Sequence, residues 1–339
     1  MSKPFSPRKL LLPLVPAYRL ALALRELQLG IKLKPVRRLR WPVVSIGNLS
    51  TGGAGKTPLT IALTQALERR GLRVDVLSRG YGRRGQRPAR VAPEGAAEEF
   101  GDEPLLIARE TGVPVYVAGQ RFGAGRLAEA EALAGGALVH LLDDGFQHRQ
   151  LHRDVDILLL DRRDWLEEGL LPAGNLREPV NAALRATVIA IPAPDGAPEM
   201  EAALRTWGFE GPVWRLHRKM EVPAVDGPVV AFCGIARPEP FFAGLESAGL
   251  QVAEQIAFPD HHRYTAADLK RLVTAAQKTG AAAFLTTGKD KVRLGKLSLA
   301  FPESLPLKTA GLRVEIEHED EAIEWLVDWL KQARTNPPL

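Results

Sequence analysis

Short apolar runs alternate with helical periodicity along most of the chain. Apolar runs at 43–46, 73–77, 113–117, 137–142, 156–160 and 187–191 are separated by stretches at 56–70, 103–111 and 121–133 whose apolar residues recur at helical spacing. Strand-length runs that are apolar throughout belong to strands buried on both faces, so this alternation predicts a mostly parallel sheet covered by helices. A looser zone at 192–198 and a mixed stretch at 205–228, with Trp207, Gly208, Gly211, Trp214 and Pro223, read as a crossover or hinge. A second α/β run follows, with strands expected at 229–233, 251–258, 283–286 and 312–317 and helices at 238–248, 266–279 and 319–333. The expected fold is α/β: a larger α/β/α core over 42–213 and a smaller α/β/α domain, hinge included, over 214–334.

Residues 1–41 follow a different pattern. A helix is expected from about 17 to 33, apolar around much of its girth, with Leu20, Leu24, Leu27 and Ile31 on one face and Ala21 and Leu22 widening it. Arg19, Arg25, Glu26 and Gln28 mark the wetter side. Pro13, Pro16 and these charges interrupt the apolar run well short of the roughly 20 residues a membrane span needs. No small-residue cleavage pattern follows it, which argues against a secretory signal. The pattern fits a helix lying in a membrane interface, the alternative being a helix packed on the protein's own core.

Charge sharpens that reading. The chain has 339 residues and a net charge of +5, yet residues 1–42 carry ten Lys and Arg against the single acid Glu26. That segment is +9, so the other 297 residues sum to −4. A nucleic-acid binder would carry its basic face on the folded body, so none is expected as a partner; a basic leader beside apolar residues suits anionic head groups instead. A single cysteine, Cys233, excludes a disulfide framework and a cysteine-based zinc site.

The chemistry begins where the first strand ends. The sequence Gly47-Asn48-Leu49-Ser50-Thr51-Gly52-Gly53-Ala54-Gly55-Lys56-Thr57 lies between a strand and a helix, the setting a phosphate-binding loop requires. Gly52, Gly53, Ala54 and Gly55 supply backbone amides around one concavity, and the following helix adds its positive end. Lys56 would reach the β- and γ-phosphates of a nucleotide, and the Thr57 hydroxyl would meet Mg²⁺. Ser50 stands where the usual pattern has glycine, and Thr51 where partner-activated ATPases carry lysine.

The apolar run at 137–142 leads into Asp143-Asp144-Gly145-Phe146-Gln147-His148. A strand ending in carboxylates beside a phosphate loop can hold Mg²⁺; strand alternation leaves open which of Asp143 and Asp144 faces the metal. Gly101-Asp102-Glu103-Pro104 precedes a helix, where Asp102 reads first as an N-cap and can also face the site as a base. Phe258-Pro259-Asp260-His261-His262-Arg263-Tyr264 is a loop after a strand, where ligands bind in α/β domains. The cationic loop 78–85, with Arg79 and Tyr81, and Arg177 in Leu176-Arg177-Glu178-Pro179 are candidates to grip an anionic substrate. Asn48 and Gln147 complete the expected substrate-contacting set.

Taken together and in order, GNLSTGGAGKTP, LSRGYGRR, GDEP, LDDGFQH, LREP, FPDHHRY and TTGKDKV resemble the lipid A 4'-kinase family, the tetraacyldisaccharide 4'-kinases, over nearly the whole chain. The serine at position 50 is part of that family's own pattern. The resemblance implies a kinase peripheral to the cytoplasmic face of the inner membrane. It would use ATP and Mg²⁺ to phosphorylate the 4'-hydroxyl of a tetraacylated disaccharide 1-phosphate, giving lipid IVA in lipid A (lipopolysaccharide) biosynthesis, with no obligate protein partner. It also implies two α/β/α units joined by a two-stranded hinge and an N-terminal membrane helix. The family's catalytic acid falls on Asp102 and its catalytic histidine on His261 by motif position, with His262 adjacent; Lys56 joins them as the catalytic lysine. The rival reading is a membrane-associated P-loop nucleotide switch ATPase, which would have no need of Asp102 and His261.

Overall fold

The computed structural model describes residues 7–30, 35–53, 55–132, 138–166, 169–193 and 196–335. Among these, twelve strands form one sheet: β1 (Val43–Asn48), β2 (Arg73–Ser78), β3 (Ala89–Arg90), β4 (Val115–Val117), β5 (Leu138–Asp143), β6 (Val155–Leu159), β7 (Val188–Pro192), β8 (Val213–Glu221), β9 (Val229–Cys233), β10 (Val252–Ala257), β11 (Ala283–Thr287) and β12 (Leu307–Ile316). Their order is β10-β9-β11-β12-β8-β7-β6-β1-β5-β2-β4-β3.

Two parallel blocks meet at an antiparallel seam. β1 lies parallel between β5 and β6, and β9 lies parallel between β10 and β11. The seam is β8 against β12, paired antiparallel from Leu216↔Ile316 to Glu221↔Gly311. Alternate residues of β1 enter different cores: Val44 and Ile46 join the large cluster with Leu59, Leu63 and Leu67, while Val43 packs with Leu77, Ala124 and Leu142 on the other face. β9 divides likewise, Val230 and Phe232 to one side and Val229, Ala231 and Cys233 to the other. Both faces of both blocks are therefore covered, as the apolar runs required.

The hinge stretch is more ordered than its sequence suggested. The helix Ala197–Thr206 runs into it, and it holds the long strand β8, in which Trp214 and Leu216 are buried and Arg215 between them is half-buried. That period of two is diluted by Arg215, His217, Arg218 and Lys219, so the strand does not stand out as an apolar run. β12 starts at Leu307, five residues before the expected start at 312. The closing helix, Glu319–Thr335, sends Ile323, Leu326 and Leu330 back into the core of the first block.

The N-terminal helix spans Val15–Gly30 after a 3₁₀ turn at Pro7–Leu14. Val15, Tyr18 and Leu22 pack against Leu49, Phe146 and Leu176 of the body. Leu20, Leu24 and Leu27 point away and are 51–62 % exposed; Ile31, assigned to the same face, lies outside the described residues. Two of the expected wet residues in fact face the protein: Arg25 donates to the Gln147 carbonyl, and Glu26 accepts from Arg149. Polar partners on the body draw these charges inward and leave the leucine ridge outermost. Among the described residues no helix is long and apolar enough to cross a membrane.

Candidate active site

The phosphate loop connects β1 to the helix Lys56–Arg69. Gly55 occupies the N-cap position with φ +89°, a conformation that strongly favours glycine. Lys56 Nζ donates to Asn48 Oδ1 at 2.9 Å and lies 3.4 Å from Asp144 Oδ1. Asn48 Nδ2 in turn donates to Ser50 Oγ at 3.1 Å. The unusual serine thus orients the asparagine that orients the lysine. Segment 175–177 braces the loop from outside, through Thr51 N to Asn175 O at 2.8 Å and Arg177 N to Leu49 O at 2.7 Å. Gly52 and Gly53 also take positive φ, and Thr57 is buried at the helix start. Ala54 lies outside the described residues.

The two aspartates at the end of β5 part company. Asp143 is fully buried and accepts from Thr60 Oγ1 at 3.3 Å, its carboxyl pushed up to about 7 by burial and by the negative charges of Glu103 and Asp144. Asp144 adopts φ +51°, which turns it out of the strand. There Arg177 Nη1 donates to both its oxygens, at 2.9 and 3.0 Å. Burial works against its charge, but Lys56, Arg177 and Arg121 outweigh burial and hold the carboxyl below its ordinary value. Gln147 links the strand end to the loop, donating to Asn48 O at 2.9 Å and accepting from Arg177 at 3.2 Å.

Beside Asp144 opens a cleft of about 290 Å³ lined by Arg79, Gly119, Arg121, Asp144, Gln147, His148 and Arg177. Three guanidiniums around one carboxylate suit an anion. Arg121 was not foreseen, because its sequence looks like an ordinary helix start. It is 7 % exposed, its Nε has no hydrogen-bond partner among the described residues, and burial with neighbouring Arg79 brings its guanidinium down to about 10. Burial and the charges of Arg121 and Arg153 also push His148 down to about 4, so it is neutral at physiological pH.

A second group gathers on Asp102, the first residue of the helix Asp102–Thr111. The N-cap position belongs to Gly101, but Asp102 Oδ1 still accepts from the first-turn amide of Glu103 at 3.0 Å while its other oxygen faces the group described next. His261 Nδ1 lies 3.2 Å from Asp102 Oδ2, and Arg293 Nε donates to the same oxygen at 2.7 Å. Burial opposes the Asp102 charge, but the His261 hydrogen bond and the Arg293 charge prevail and hold the carboxyl well below the usual carboxylate range. The bond to Asp102 raises His261 above its ordinary value. His262 turns the other way, stacking on Phe258 at 4.7 Å and bonding Asp268 at 3.1 Å. Tyr81 sits by His261, ring centres 5.2 Å apart, and so belongs to this group rather than to the arginine cleft. Its loop is drawn in because Gly80 and Gly101 touch: a methyl on Gly101 would lie 3.0 Å from Gly80 Cα.

Arg293 also escaped the sequence reading. It lies just past TTGKDKV on the helix Gly288–Leu294, which Thr287 caps by accepting from Asp290 N at 3.1 Å. Buried Asp290 holds Arg293 Nη1 at 3.1 Å, Gly234 N at 3.0 Å and the Tyr264 hydroxyl at 3.0 Å. On the same helix Lys289 pairs with Glu103. The charges of Glu103 and Lys289 both act on buried Asp143, the first raising its carboxyl and the second lowering it.

A family model described as tetraacyldisaccharide-1-P 4'-kinase (LpxK) matches residues 7–331. The chain belongs to this family. It is similar to the tetraacyldisaccharide 4'-kinase of Koribacter versatilis, 40 % identical over 93 % of this chain and 97 % of that protein. The tetraacyldisaccharide 4'-kinase of Rhodopseudomonas palustris is 36 % identical over 96 % and 94 % of the two chains. Among solved structures, LpxK from Aquifex aeolicus in complex with ATP aligns with a TM-score of 0.73 and 31 % identity over 95 % of this chain and 99 % of its own.

Proposed function

We propose that the protein is a tetraacyldisaccharide 4'-kinase, a transferase that moves the γ-phosphoryl group of ATP to the 4'-hydroxyl of tetraacyldisaccharide 1-phosphate, yielding lipid IVA and ADP in lipid A biosynthesis. The observation that carries it is the Asp102–His261–Arg293 group, assembled in a chain that also carries the Gly52–Lys56 phosphate loop, a pairing that a mere nucleotide switch would not need. The ATP-bound Aquifex relative supports the choice of nucleotide.

The phosphate loop and Lys56 hold the triphosphate, with Asn48 fixing the lysine. Thr57, Asp143 and Asp144 offer the hydroxyl and carboxylate oxygens that suit Mg²⁺. The raised Asp143 carboxyl is what a buried acid awaiting a cation would show. When bound, the metal would neutralise charge developing on the phosphates. Arg79, Arg121 and Arg177 hold an anionic group of the acceptor in their cleft. The hydroxyl proton passes to the Asp102–His261 pair, joined through Asp102 Oδ2 and His261 Nδ1. A weakly basic carboxylate suffices, because in a loose transition state the proton leaves late.

The exposed leucines of the N-terminal helix, with Leu10, Leu12 and Leu14 before it, dock the enzyme peripherally on the cytoplasmic face of the inner membrane. The acyl chains of the substrate stay in the bilayer, and no obligate protein partner takes part. With the larger unit taken as 42–213 and the smaller as 214–334, the antiparallel β8/β12 pair is read as the hinge between them.

Transfer of labelled γ-phosphate from MgATP to tetraacyldisaccharide 1-phosphate in mixed micelles tests this. Label in the lipid, lost in Lys56→Ala, is expected. Inorganic phosphate with no labelled lipid would favour the switch ATPase instead.

A further inference from the structure

Two arginines outside the groups described so far lie against the phosphate loop. Arg218 is on β8, the strand of the first block that borders the seam, and Arg237 is on the loop after β9, in the second block. A methyl placed on Gly55 would be 3.5 Å from Arg218 Nη2. One on Gly53 would be 3.3 Å from Arg237 Cδ and 3.5 Å from its Nε. One on Gly52 would be 3.1 Å from the Ala236 side chain, so this loop covers the glycines closely. Pro238 follows Arg237 and restricts its backbone. Both guanidiniums form ion pairs with Asp161 just past β6, at 3.8 and 4.0 Å. Burial and the nearness of Arg237 lower Arg218 below its ordinary value, and an added anion would relieve that crowding.

We infer that Arg218 and Arg237 grip the phosphates of the nucleotide held in the Gly52–Lys56 loop, Arg218 from the seam strand β8 and Arg237 from the second block. Guanidinium forks match phosphate oxygens, and a cation supplied from a separate element makes a phosphate site depend on the closed arrangement. The inference rests on the phosphate loop binding ATP as proposed above.

The test measures MgATP affinity by calorimetry for Arg218→Ala, Arg237→Ala, Arg237→Gln, Arg237→Lys and Lys56→Ala, alongside KM for the lipid. The melting temperature without nucleotide is measured to establish that each variant folds. Loss of a charged phosphate contact should weaken MgATP about tenfold in each arginine variant. The lipid KM should stay within about twofold, and Arg237→Lys should recover part of the loss. Arginine variants that bind MgATP like the parent while Lys56→Ala does not would overturn the grip and leave the phosphate loop standing. Normal binding by Lys56→Ala as well would overturn both. If the alanine variants melt early, Arg237→Gln and Arg237→Lys decide the matter by the same comparison.

Discussion

Asp102 and His261 stand 159 residues apart in sequence and meet at 3.2 Å, one from the first block of strands and the other from the second. Arg293, also from the second block, locks the same carboxylate. The base of the site is therefore assembled only when the two halves of the sheet are together. Asp102→Asn and His261→Asn should each lower kcat by roughly 10²–10⁴-fold, the range for lost proton transfer, with little change in ATP affinity. Steady-state kinetics with both substrates varied measures the split. Near-normal kcat in Asp102→Asn would remove that residue from proton transfer.

Arg293→Gln separates charge from geometry at the same point. Asp102 is depressed in the folded protein, so the stability it adds is present above its unfolded pKa of about 3.9 and is lost as pH falls through the lower folded value. Without Arg293, burial is opposed mainly by His261, and the carboxyl rises. The acid unfolding midpoint and the acid limb of kcat/KM should both move to higher pH. An unchanged acid limb would mean that Asp102 does not control it.

A buried histidine away from the site predicts the opposite sign. His140 on β5 has Nδ1 2.7 Å from Asp75 Oδ1 and Nε2 3.8 Å from Glu129 Oε1, and Glu129 also accepts from the Arg40 and Trp41 amides. Burial disfavours its charge, but the two carboxylates prevail and raise it to about 9. Its folded pKa lies above the unfolded 6.5, so the stability it adds is full below about 6.5 and is lost as pH rises through about 9. Denaturant melts from pH 6 to 10 should show that loss, and His140→Gln should flatten the profile while lowering stability at pH 6. A parallel pH profile in the variant would exclude His140 as the source.

The sequence made local chemistry legible and missed what only tertiary approach creates. Lys56, Thr57 and the Asp143-Asp144 pair each sit in a motif whose neighbours in sequence are its neighbours in space. Arg121, Arg218, Arg237 and Arg293 stand in no such motif; each matters because a distant element carries it to a phosphate loop, a cleft or a carboxylate. β8 was hidden because Arg215, His217 and Lys219 alternate with its buried residues. The sequence could not tell His261 from His262, which the two partners, Asp102 and Asp268, distinguish at once. The faces of the N-terminal helix were misjudged at Arg25 and Glu26, because only the folded body supplies Gln147 O and Arg149 as their partners.

That helix carries the last prediction. Leu20, Leu24 and Leu27 form a ridge with nothing of the described protein over it, while Val15, Tyr18 and Leu22 anchor the other side. Burying a leucine in an apolar phase is worth about 1.5–3 kcal/mol, so replacing two ridge leucines by glutamate should weaken binding to anionic vesicles by more than about tenfold. Because the ridge faces away from the anchoring side, the melting temperature and MgATP affinity should stay at parental values. Flotation with vesicles of mixed zwitterionic and anionic lipids reads the first effect, and calorimetry reads the second. Leu22→Glu is the contrasting variant, expected to lower the melting temperature because it places a charge against Phe146 and Leu176. Unchanged vesicle binding in Leu20→Glu/Leu24→Glu would move the membrane contact elsewhere on the surface.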